Sequence, residues 1–92
     1  MDYATYQQRR QLLPLIEDPK AREESTGLLE ADYHLGLGVS HILMAKTGKA
    51  PDPTVVNRLV HAIQVIGADS REKDKESQAR VQQASQTLAA EL

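Results

Sequence analysis

Glu30, His34 and His41 are the side chains whose types come nearest to doing chemistry in this sequence. On a helix Glu30 and His34 stand at i and i+4, close enough to offer two ligands to a metal ion completed from elsewhere, for example by His61. His34 and His41 are two turns apart, about 10 Å, so they cannot both reach one ion. Ser40 and His41 are sequence neighbours and point in different directions on a helix, which removes the simplest nucleophile–base pair. Gly48-Lys49 lacks the upstream glycine and the following Ser or Thr of a phosphate loop. With no cysteine there is no thiolate zinc site, no disulfide and no cysteine nucleophile. These residues read as polar helix edges, and the expectation is a chain without metal, without cofactor and without enzymatic activity.

Thr54, Asn57, Arg58 and His61, near the start of a helix that follows a glycine-containing link, are loosely what a helix-turn-helix reader presents to nucleic acid. Affinity for nucleic acid comes largely from neutralised phosphates. The 92 residues carry 11 Lys and Arg against 13 Asp and Glu, a net charge of −2. Nucleic acid is therefore the alternative partner rather than the preferred one, resting on local clusters such as Arg9-Arg10 with Lys46, Lys49 and Arg58.

The elements that must carry these residues are helical. Apolar residues make up 40% of the chain, with no Phe and no Trp, so the core is aliphatic and thin. Ala, Leu, Gln, Glu, Lys and Arg dominate, while β-branched and aromatic residues are few and never alternate for long. An all-α fold follows: a small bundle of three to four helices in a single domain over residues 1–92. Its length leaves little room for a water-excluding cleft.

Aspartate, proline and glycine place the boundaries. Asp18-Pro19 and Asp52-Pro53 each set a capping acceptor before a proline suited to the first helical turn. Gly48 suits a left-handed residue after a helix, with Pro51 preventing continuation. Pro14 stops or kinks an N-terminal segment of residues 1–17. The second helix begins near 19 or 26 and ends at 47. Gly67 ends a third helix of 53–66, and Asp69 with Glu72 forms a capping box for a polar C-terminal helix within 70–92. Helices 26–47 and 53–66 form an antiparallel hairpin. The C-terminal helix has a thin seam, Ser77, Val81, Ala84 and Leu88, at heptad-like spacing.

The second helix points to function. At 100° per residue with Leu29 at zero, Leu28, Ala31, Leu35, Val39 and Ile42 cluster between about −160° and −80°, one core stripe. Leu29, Tyr33, Leu37, Ser40 and Met44 fall between about 0° and 80°, a second stripe that needs another neighbour. The expectation is a non-enzymatic protein-binding module of the adaptor, small chaperone or inhibitor kind. It binds another protein or its own copy as a homodimer through Leu29, Tyr33, Leu37 and Met44, helped by Tyr3 and Tyr6. No apolar run approaches the roughly 18 residues of a membrane span, and nothing near Met1 resembles a leader, so the expected location is the cytoplasm.

Overall fold

The computed structural model describes all residues from Met1 to Leu92. It is all-α, as the composition requires: α1 is Tyr3–Leu12, α2 Pro19–Thr47, α3 Pro53–Asp69 and α4 Lys75–Glu91, with a short 3₁₀ turn at Leu13–Leu15. There are no strands. The chain divides into two compact units, Met1–Gly38 and Val39–Leu92.

In the first unit, α1 starts on Asp2, whose carboxylate accepts from the Thr5 amide at 2.8 Å. The helix stops before Pro14, and the 3₁₀ turn closes with the Ile16 amide donating to the Leu13 carbonyl at 3.1 Å. Arg22, one turn into α2, donates from Nε and Nη2 to the Ile16 carbonyl at 3.0 and 2.6 Å. This clamps the connection at the point where the backbone leaves helical geometry. From Pro19 the helix continues through Gly27, Gly36 and Gly38. A helical glycine costs about 1 kcal/mol relative to alanine, which lowers stability without breaking the element.

In the second unit, Leu59 of α3 is fully buried, with Val56, Val60 and Ala62 of the same face close to it. The end of α2 contributes buried Val39 and Leu43. Residues 48–52 link α2 to α3; Gly48 adopts φ 72°, the left-handed conformation its position demanded. Asp52 caps α3 by accepting from the Thr54 amide at 2.9 Å.

Two boundaries differ from the sequence expectation. Helix α3 runs past Gly67 to Asp69, and Gly67 stays helical because nothing forces a left-handed residue there. The box at Asp69 and Glu72 does not form. Helix α4 starts at Lys75 instead, with Asp74 accepting from the Ser77 amide at 3.0 Å. Asp69 is left at the carbonyl end of α3, where the helix dipole disfavours a carboxylate; Arg80 compensates with a hydrogen-bonded ion pair at 2.9 Å.

Helix α4 packs along α3. Asp69 meets Arg80 at one end and Arg58 meets Glu91, at 3.9 Å, at the other, so the two helices are antiparallel. Of the heptad-like seam, Ser77 and Ala84 are buried and Val81 and Leu88 half-buried. Lys46, in the last turn of α2, donates to the carbonyls of Glu91 and Leu92 at 3.2 Å each, a cation at the negative end of α4.

A Cβ added at Gly67 meets nothing within 4 Å. Gly67→Ala is therefore expected to raise stability by about 0.5–1 kcal/mol, and Gly48→Ala to lower it by about 1 kcal/mol through left-handed strain. Urea unfolding of both variants checks this; a destabilised Gly67→Ala would mean that α3 ends earlier than described.

Candidate partner-binding surface

Three tyrosines meet in the first unit. Tyr6 of α1 packs on Tyr33 of α2 with ring centroids 4.1 Å apart; Tyr3 stands 6.2 Å from Tyr6 and 6.3 Å from Tyr33, the latter edge-on. Tyr3 and Tyr6 are one turn apart on α1, so both can face the same stretch of α2. Tyr6 is buried, Tyr33 half-buried and Tyr3 exposed, and the Tyr3 hydroxyl accepts from the Gln7 side chain.

Glu30 organises the polar rim of this cluster. The Tyr6 hydroxyl donates to Glu30 Oε1 at 2.5 Å, and Arg10 Nη1 donates to the same hydroxyl at 3.1 Å. Arg10 Nη1 lies 3.9 Å from Glu30 Oε1, and His34 Nε2 lies 3.5 Å from Glu30 Oε2. The hydrogen bond to Glu30, followed by burial, pushes the Tyr6 phenol above its ordinary value, with Arg10 opposing. Glu30 and His34 thus meet as their spacing allows, within a tyrosine and arginine network. No group of three histidines or carboxylates that could hold a metal ion is assembled.

The two apolar stripes on α2 are not buried as sets. Of the first, Val39 is buried, Leu35 half-buried, and Leu28 and Ile42 stand 73% and 54% exposed. Of the second, Leu29 is buried, whereas Leu37 in the first unit and Met44 in the second are 43% and 48% exposed. In the first unit the reason is the bearing of α1. Tyr6 meets α2 at Tyr33 and Glu30, about 40° and 100° from Leu29, and leaves Leu28, at about −100°, on the far side.

The six proposed contact residues therefore separate. The structure brings Tyr3, Tyr6 and Tyr33 together, buries Leu29 and leaves Leu37 exposed; Met44 belongs to the other unit. Leu12 and Leu15 are exposed apolar side chains of the first unit that the stripe analysis did not include, and Leu28, which it placed in the core stripe, is exposed as well. For Leu12 and Leu15 the available signal was the break at Pro14, where α1 gives way to the short 3₁₀ turn that carries Leu15. Arg58 is paired with Glu91, and no helix is long and apolar enough to cross a membrane.

Comparison with family models, curated proteins and solved structures finds no match to the chain.

Because its pKa is raised in the folded state, the protonated Tyr6 hydroxyl contributes stability that is fully present below about pH 10 and lost as pH rises through the raised value. In an ultraviolet titration, Tyr6→Phe is expected to remove a tyrosinate step above pH 10. A variant titration that loses only a step at the ordinary value would show that the bond to Glu30 is not kept in solution.

Proposed function

We propose that the chain is a non-enzymatic protein-binding module, of the adaptor, small chaperone or inhibitor kind, that holds another protein or a second copy of itself through apolar side chains of its first unit. One observation carries the reading: within Met1–Gly38, Tyr3, Leu12, Leu15, Leu28 and Leu37 are all exposed, Leu15 to 74%. Apolar side chains exposed singly are normal on a soluble surface. This number in so short a segment, in a chain already short of core residues, is better explained by a surface covered on binding.

Tyr3 and Leu37 belong to the contact surface on this reading. Tyr6, Tyr33 and Leu29 support it from beneath: the aromatic cluster holds α1 on α2 and so presents Tyr3. Met44 has similar exposure but lies in the second unit and is not needed for this surface. Aromatic residues with an apolar body and a polar tip suit such a rim. Binding to nucleic acid is less favoured, since the chain carries a net charge of −2 and phosphate neutralisation would rest on local clusters alone.

Sedimentation equilibrium over a wide concentration range tests the self-association arm. The parent is expected to exceed 10.2 kDa as concentration rises. Leu37→Glu is expected to return the monomer with the helical circular dichroism unchanged. Unfolding of that variant would make Leu37 part of the core and end the proposal. A parent monomeric throughout would remove the homodimer and leave only a different protein as partner.

A further inference from the structure

Helix α1 is held to the rest of the first unit at one place. It has 10 residues, and Tyr6 is the only one of them that is buried. Isolated helices shorter than about 12–15 residues are marginal in water, so the order of α1 depends on the seat it occupies on α2. That seat is specific. Tyr6 packs on Tyr33 at 4.1 Å and donates to Glu30 at 2.5 Å. Arg10 donates to the Tyr6 hydroxyl at 3.1 Å and stands 3.9 Å from Glu30.

The link between α1 and α2 is short: the 3₁₀ turn Leu13–Leu15, then residues 16–18. Pro14 and Pro19 keep it from joining the two helices into one. Its present course is fixed by Arg22, which donates twice to the Ile16 carbonyl, at 3.0 and 2.6 Å. At this same link Leu12 and Leu15 stand 59% and 74% exposed.

We infer that α1 exchanges between copies of this chain: in the dimer, α1 of each copy sits on α2 of the other, Tyr6 of one against Tyr33 and Glu30 of the second. An emptied seat would leave the Tyr33 ring in water and Glu30 without its phenol donor, so it must be refilled. The helix that fits it contact for contact is α1, and a second copy brings the same tyrosine and arginine at the same spacing. Such an exchange keeps every contact of the seat and alters only the link. Opening the link releases the Ile16 carbonyl from Arg22, which opposes the dimer. Where the two links cross, Leu12 and Leu15 of one copy meet those of the other, and the apolar area removed from water favours it.

The exchange rests on the self-association arm of the proposed function, and its test separates the two. Equal amounts of isotope-labelled and unlabelled full chain are unfolded together in urea and refolded at a concentration where sedimentation shows the dimer. Isotope-filtered nuclear Overhauser spectra are expected to show Tyr6 ring protons of one copy against Tyr33 ring protons of the other. A dimer in which this contact stays within each copy would overturn the exchange and leave the apolar surface of the first unit standing. A chain monomeric at every concentration would overturn the exchange together with the homodimer. Arg22→Gln removes the contact that favours the closed link, and is expected to lower the dissociation constant of the dimer about tenfold. A dimer formed by side-by-side contact at Leu37 would be indifferent to Arg22, so an unchanged dissociation constant overturns the exchange as well.

Discussion

Four aspartates govern where this chain becomes helical. Asp2, Asp18, Asp52 and Asp74 each precede a helix and accept a hydrogen bond from an amide of its first turn, at 2.8, 3.3, 2.9 and 3.0 Å. The first amides of a helix have no partner within it, and a carboxylate both satisfies one of them and meets the positive end of the dipole. The amide bonds are the main reason the carboxyls of Asp2 and Asp74 are held below the usual range. A folded-state pKa lowered in this way means stability present above the ordinary carboxylate value and lost as pH falls through the lowered one. The caps also set the lengths of the links, and short links keep α3 and α4 as antiparallel neighbours.

The core built on these starts is economical. Helix α3 supplies its centre through Leu59, Val56 and Val60, while α4 brings little more than Ala84 and Ser77 to its buried face. Even the buried serine is satisfied: its hydroxyl accepts from Arg80, and no buried side-chain polar atom lacks a partner. Small residues let helices approach closely but cover little area, so charged groups at the ends help hold the assembly, Arg80 on Asp69 and Lys46 on the last carbonyls of α4. In the first unit aromatic rings do what aliphatic side chains do in the second. Tyr6 couples burial to a hydrogen bond with Glu30, which orients α1 on α2 more specifically than apolar contact alone.

This thinness marks the surface of each unit. With few apolar residues and long helices, the first unit keeps leucines outside because α1 is too short to cover α2 on more than one bearing. The second unit uses alanine where α3 and α4 pack, so Ala62 and Ala84 are buried there with little side-chain area. The dense polar cluster around Glu30 is built from groups that satisfy one another.

The sequence by itself determined what is local: helical type from composition, the break at Pro14, the left-handed turn at Gly48 and the start at Asp52, while the start of α2 stood open between 19 and 26. Each rests on a fixed φ, a missing amide hydrogen or a capping oxygen within a few residues, so nothing distant could overrule it. Tertiary structure decided the rest. The sequence points to Asp69 as the cap of the last helix, but the cap is Asp74, because Asp69 finds a distant partner in Arg80 while α3 runs on through Gly67. Periodicity puts Leu28 in the core stripe and Leu29 in the contact stripe, whereas with α1 docked through Tyr6 onto Tyr33 and Glu30 it is Leu29 that is buried and Leu28 that stays outside. Periodicity shows that a helix has apolar faces; only the bearing from which a neighbour arrives decides which of them is buried.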